Sequence, residues 1–230
     1  MNLSSFWTYF DEVKLTEEIL INSQFSTIPN WSLEKIQRVS VNYRWLVENH
    51  SNHLALMISR LPESQLKSLI AEILNDEQGN GKYEHSHLFL WDNFLRSMGI
   101  TDIPINSVNF DPMMTLINNS SLDFIIGLEG VGVECICAVY LEVFENCLKQ
   151  HPYVIENYQD IEWEFFDIHV RGEDIQHKKM IREAVGQLIK SEQINPDLVL
   201  MGYNKAKEIW RETWKQWINL SEKKLVELRF

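Results

Sequence analysis

The stretch from Leu122 to Leu148, LDFIIGLEGVGVECICAVYLEVFENCL, constrains the fold more than any other part of the chain. So long and apolar a run reads as a central buried helix around which the remaining elements must pack. Its glycines at 127, 130 and 132 have no side chain to hold a neighbour away, so they allow close approach of another helix or a kink. Glu134 contradicts this apolar setting, flanked by Gly132-Val133 and Cys135-Ile136-Cys137-Ala138, and Glu129 is a similar oddity. An ionised carboxylate in a low-dielectric interior is costly unless a partner compensates it. Pairing with Arg or Tyr would satisfy Glu134, as would a metal ion, and either requires a cationic or hydrogen-bonding group beside it. Glu142 and Glu145 lie where the helix is becoming polar.

Helices account for the rest. Only nine Gly and six Pro punctuate the 230 residues, and no alternating β-branched segments recur at strand spacing. Ser32 is an N-cap with Glu34 in the first turn, and Ile36, Val39, Tyr43 and Leu46 face inward. A separate helix is expected from about Asn52 to Arg60, stopping at Leu61-Pro62. Pro62 then opens the next, with Leu66, Leu69, Ile70, Ile73 and Leu74 at helical spacing up to the Gly79-Asn80-Gly81 break. Glu84 to Met98 is amphipathic and Gly99 is its C-cap, whereas Ile100 to Phe110 reads as a loop. A long helix is expected from Glu162 to about Ser191. The last starts at Asn195-Pro196-Asp197 and carries an aromatic stripe, Ile209, Trp210, Trp214, Trp217 and Ile218, read as core packing. With no Pro/Gly/Ser-rich linker and a 45% hydrophobic composition that includes eight Trp, the sequence predicts one all-α domain over residues 1–230.

A formal net charge of −12 would repel a phosphate backbone, and no Lys/Arg cluster makes a local exception, so nucleic acid is excluded as a partner. MNLSSFWTYFDEVK lacks the basic and apolar regions of a secretion signal, and no stretch approaches about 18 uninterrupted apolar residues, which predicts a cytoplasmic protein without a membrane partner. Cys135, Cys137 and Cys147 are odd in number and read as small buried residues rather than a disulfide framework. Helical spacing turns Cys135 and Cys137 about 200° apart, so they are poorly placed to chelate one ion together.

Two further segments concentrate acids and imidazoles. His169 and His177 are eight residues apart, about 80° around an ideal helix, so both rings can address one face. Between them Glu173 would fall on that face at about 40°, whereas Asp174 would fall at about 140° unless the helix is bulged there. At the Asp76–His87 junction, Glu84 and His87 form the Glu-x-x-His arrangement of bundle metal sites, and Glu77 is an equally allowed partner across the glycine turn. Capping and solvation explain such residues singly. Carboxylates and imidazoles on separate helices of one bundle are, together, what a non-haem di-iron centre demands.

Asp76-Glu77-Gln78-Gly79 followed by Ser86-His87, Leu95 to Gly99 closing the helix, Glu134 in Glu-Cys-Ile-Cys-Ala-Val-Tyr, and Phe165-Phe166-Asp167-Ile168-His169 with Asp174-Ile175-Gln176-His177 carry a resemblance. In order and spacing they resemble the haem-oxygenase-like di-metal oxidases and oxygenases, whose fold is shared with haem oxygenase, thiaminase-like proteins and the pyrroloquinoline-quinone synthase. The branch most similar is that of the chlamydial death-domain-associated protein, viewed as a self-sacrificing para-aminobenzoate synthase.

Spanning roughly residues 62–190, the resemblance implies a haem-oxygenase-like bundle of about seven to nine helices. It also implies two iron ions, or iron with manganese, dioxygen as co-substrate, and an amino-acid, amine or fatty-acid derived small molecule as substrate, with a homodimer left open. Carried over by position, the metal ligands would be Glu77, His87, Glu134, His169, Asp174 and His177. The family usually spaces its last motif His-x3-Asp-x2-His, whereas this chain reads His169-x4-Asp174-x2-His177. A π-type bulge would restore Asp174 to the set, and an unbulged helix would present Glu173.

Two rival readings use other residues. A metal-free thiaminase-like hydrolase would place Cys135 or Cys137 as nucleophile. A non-catalytic interaction protein would dock through the Trp-rich last helix or the acidic surface. Tyr83, Tyr140 and Tyr153 would matter only if they line the site.

Overall fold

A computed structural model describes residues 3–103 and 112–220, and within them it describes no side chain for Ser4, Glu173 and Asp174. Short α1 (Leu3–Trp7) leads into α2 (Glu12–Asn22) and a 3₁₀ segment, Phe25–Asn30. Ser32 caps α3 (Leu33–Arg60) by accepting a hydrogen bond from Lys35 N at 3.2 Å. That helix runs unbroken for 28 residues, so the two helices expected on either side of Asn52 are one. The next, α4 (Gln65–Glu77), is capped by Ser64 rather than opened by Pro62.

Gly79 makes the sharp turn after α4 at φ +75°, where an added Cβ would run into the backbone of Lys82 and His85-Ser86. The expected Glu84–Met98 helix resolves into a 3₁₀ turn, Tyr83–His85, and α5 (His87–Ser97), which Ser86 caps. Because that cap fixes where His87 begins its helix, Ser86→Ala is expected to cost about 1 kcal/mol, roughly 2–4 °C in Tm by calorimetry. A drop below half a degree would mean that Ser86 does not set this terminus. Most of the loop expected at Ile100–Phe110 lies outside the described residues.

After α6 (Pro112–Asn119), the apolar stretch forms one continuous helix, α7 (Leu122–Leu148), whose segment Ile126–Val133 is π-helical. It is long and apolar enough to cross a membrane, yet 83% of its most apolar window is buried inside the protein. Short α8 (Pro152–Glu156) precedes α9, in which Glu164–Phe166 widens into a π turn, Asp167–Arg171. Gly172, at φ −106° and ψ −135°, interrupts the chain before α10 (Glu173–Lys190), so the single helix expected from Glu162 to Ser191 is two. Last comes α11 (Pro196–Leu220).

Helices of eleven or more residues number seven, and there is no strand among the described residues, as an all-α bundle of this kind requires. Helix α11 lies along the start and π segment of α7, α3 is flanked by α4, α5 and α6, and α10 bridges α4 and α7. The approach of α11 to α7 is as close as the glycines permit: a Cβ on Gly127 would strike the Val199 carbonyl oxygen, and one on Gly202 the Phe124 carbonyl oxygen. Trp210, Trp214 and Trp217 are buried, with Trp214 stacked 5.2 Å from Tyr43 and 6.0 Å from Tyr140. The stripe is therefore core, and an interaction surface built on it has no aromatic face to offer.

Two polar ties lock this frame. Arg44 on α3 donates from Nε and Nη2 to the Asp92 carboxylate on α5, at 2.6 and 3.1 Å. Arg171 closes the π turn onto α7 by donating to both oxygens of Glu145, at 2.8 and 2.6 Å. Glu145, expected at the polar end of α7, is fully buried, and Lys149 adds a second cation 2.7 Å away.

Candidate metal centre

Three of the expected ligands converge. Glu77 ends α4, His87 begins α5 and His169 sits in the π turn; each offers a ligand atom, and these atoms lie within 4.8 Å of one another. Glu77 Oε1 is 3.0 Å from His87 Nδ1, and the rings of His87 and His169 are 4.6 Å apart. All three are buried, at 7%, 4% and 5% exposure. His169 Nδ1 lies 2.7 Å from the Phe165 carbonyl oxygen and donates to it, which fixes the tautomer and puts the ring's lone pair on Nε2.

Glu134 joins from α7, its Oε1 3.3 Å from His50 Nε2, and lines the same cavity as Glu77 and His169. His177, on α10, reaches the edge of this group, with Nε2 3.2 Å from Asp76 Oδ2 one residue before Glu77. A π turn, one of the two outcomes that the longer His169-x4-Asp174 spacing left open, is present at Asp167–Arg171. Which of Glu173 and Asp174 it delivers lies outside the described side chains. Glu84, the alternative partner of His87, is exposed on the 3₁₀ turn, so Glu77 is the carboxylate that His87 meets.

Sequence reasoning missed a second group. His50 and His53 on α3 converge with Glu129 from the π segment of α7. The His50 ring stands between the two groups: Nε2 is 3.7 Å from Glu77 Oε1, and Nδ1 is 3.2 Å from Glu129 Oε1. The i, i+3 spacing of His50 and His53 was the available signal, since it puts both rings on one helix face. Neither stood out in a helix already rich in polar residues.

Electrostatics test whether these residues fit an ion. Glu77, Glu129 and Glu134 are buried together, and among the described residues no Lys or Arg pairs with Glu77 or Glu129. Burial opposes charging His50, but Glu77, Glu129 and Glu134 outweigh it and hold the imidazole well above its ordinary pKa. Burial likewise opposes ionising Glu77, and His87 and His50 overcome it to hold the carboxyl below its ordinary value. These carboxylates thus favour a cation beside them, either a proton on an imidazole or a metal ion. Both oxygens of Glu129 lack a hydrogen bond although two imidazoles are close, which is how ligands arranged around a common point differ from hydrogen-bonded partners. The donor set of imidazole and carboxylate fits iron.

The cavity beside the site is small, about 20 Å³. His50, Glu77, Glu134 and His169 line it together with Tyr43, Leu46, Val47, Val133, Cys137, Phe165 and Trp210. Such a volume holds about one water-sized molecule. Tyr83 is exposed and Tyr140 is packed against Trp210 and Trp214, so neither lines the cavity, whereas Tyr43 does.

Cys135 is buried, and burial pushes its thiol up to about 12, far from a nucleophile's range. Iodoacetamide at about pH 8 is expected to leave Cys135 unmodified in the folded protein and to label it in denaturant, read by peptide mass mapping. Rapid native labelling of Cys135 would return it to consideration as a nucleophile. Cys137 Sγ lies 3.4 Å from Tyr43 Oη at the cavity wall.

With fold and geometry in hand, comparison with known proteins gives a class. The fold is a haem-oxygenase-like helical bundle. Residues 37–211 match a family described as iron-containing redox enzymes, and the chain belongs to that family. Two crystal structures of a CADD-like protein of unknown function from Nostoc punctiforme PCC 73102 are similar to it, with TM-scores of 0.67 and 0.66 at 15% and 14% identity. They cover 94% and 96% of this chain and 99% of that one, a likeness that concerns fold alone. No curated protein matches the chain.

Proposed function

We propose that this protein is a non-haem di-iron oxidase or oxygenase that uses dioxygen to oxidise a small organic molecule. The observation that carries the reading is the buried convergence of Glu77, His87 and His169, with Glu134 beside them, next to a cavity whose remaining lining is mostly apolar. Glu77, His87, Glu134, His169, Asp174 and His177 are the proposed metal ligands. Iron bound there supplies the electrons by which dioxygen is activated.

The protein's own groups prepare that chemistry. The bond from His169 Nδ1 to the Phe165 carbonyl orients the ring, so its Nε2 lone pair needs no reorganisation. Leu46, Val47, Val133, Phe165 and Trp210 exclude bulk water from a reactive centre. Space for about one water-sized molecule suits a diatomic gas, and a larger substrate has to displace part of this wall.

The test is anaerobic ferrous reconstitution followed by exposure to oxygen with a metabolite extract, read by an oxygen electrode and by mass spectrometry of metabolites and protein. Iron-dependent oxygen uptake with an oxidised product is the expected result. Iron content near zero that ferrous salt cannot raise would defeat the reading and favour the metal-free hydrolase.

A further inference from the structure

We propose that His50, His53 and Glu129 form a metal-binding site of their own, which takes a divalent transition ion on the side of the His50 ring turned away from Glu77. None of the three is among the six ligands above. A role for that ion in an oxidase reaction rests on the proposed function, but the capacity to bind an ion does not.

One of the two separations is that of a coordination sphere and the other lies a few tenths of an ångström beyond it. Donor atoms about 2.1 Å from one ion and 90–109° apart lie about 3.0–3.4 Å from one another. Glu129 Oε1 is 3.2 Å from His50 Nδ1 and 3.8 Å from His53 Nδ1. Neither oxygen of Glu129 has a hydrogen bond, and the residue is wholly buried. A carboxylate so placed needs a cation beside it, a role that a proton on His50 fills when no metal ion is bound and that a bound ion takes over.

The backbone explains how these donors meet. His50 and His53 share a face of α3. Glu129 and Glu134 are five apart, about 140° on a regular α-helix, and would diverge. In the π segment Ile126–Val133 the hydrogen bonds span five residues, and both carboxylates reach the same His50 ring, Glu129 at Nδ1 and Glu134 at Nε2. The first group likewise has two imidazoles and one carboxylate, the set that suits ferrous iron, so the protein holds two such sets with one ring between them.

Anaerobic titration of the chelated full-length protein with cobalt(II), followed by elemental analysis and visible absorption of the bound ion, tests this. Wild type is expected to bind one ion per chain more than Glu129→Gln does. The absorption bands of the new site are expected to be lost in Glu129→Gln and kept in His169→Asn, which instead loses bands of the first group.

If Glu129→Gln keeps the wild-type stoichiometry and spectrum, the proposed site does not exist, whatever becomes of the first. If His169→Asn changes nothing while Glu129→Gln loses an ion, the new site stands and the proposed function loses its centre. Far-UV circular dichroism checks folding. Should Glu129→Gln unfold, His53→Gln removes a donor from a different helix, and retention of the wild-type stoichiometry there overturns the site.

Discussion

His169→Asn is expected to weaken ferrous-ion binding by at least ~100-fold, while leaving the helical spectrum intact. Its imidazole is fixed by the Phe165 carbonyl and stands 4.6 Å from the His87 ring, so removing it takes away a donor that needs no rearrangement to bind. Merely losing a residue that orients a ligand costs 10–100-fold in comparable sites, which sets the lower bound. Isothermal titration under anaerobic conditions reads the affinity. An unchanged value would remove His169 from the metal centre and with it the main support for an iron-dependent reaction. Folding is expected to survive because Phe165 and Phe166 keep the turn packed against Trp91.

The second large effect is structural. Gly202→Ala is expected to destabilise the protein by about 3 kcal/mol or more, roughly 6–12 °C in Tm, because the new methyl would strike the Phe124 carbonyl and the backbone at Gly127-Leu128. Ala is the better helix former by about 1 kcal/mol, so the clash has to exceed that gain. Backbone cannot swing aside as a side chain does.

Gly186→Ala supplies the contrast: its methyl would meet Leu3 and Trp7 side chains at 3.6 Å, an ordinary contact, and a change between zero and about 1 kcal/mol of stabilisation is expected. Similar losses at Gly202 and Gly186 would show that helix propensity and packing, not the α7 to α11 contact, set the outcome.

What could be read from sequence followed from residues that break a local rule. Glu134 is legible because a carboxylate amid Val, Cys and Ile is costly wherever the chain goes, and Glu129 draws notice for the same reason. The three glycines of α7 announced close approach, and Gly127 and Gly132 meet α11 at Val199 and Ala206. His50 and His53 break no rule. They sit among Arg44, Glu48, Asn49 and Asn52, where a polar residue is ordinary, and only the third dimension brings Glu129 to them.

Glu145 misled for a related reason: its position at the polar end of α7 hid the partner, Arg171, that arrives from 26 residues away. The longer spacing before Asp174 left a π bulge and a regular helix both open; a π turn occurs at Asp167–Arg171, and the chain breaks at Gly172 instead of continuing as one helix.

Where α7 and α11 touch backbone to backbone, no rotation of a side chain opens a path between them. A molecule travelling to the buried histidines is therefore barred from the α7 to α11 seam, whereas around Glu77, His87 and His169 the elements meet through side chains, a kind of contact that rotamer exchange can loosen. The glycine seam thus closes one approach to those histidines by construction.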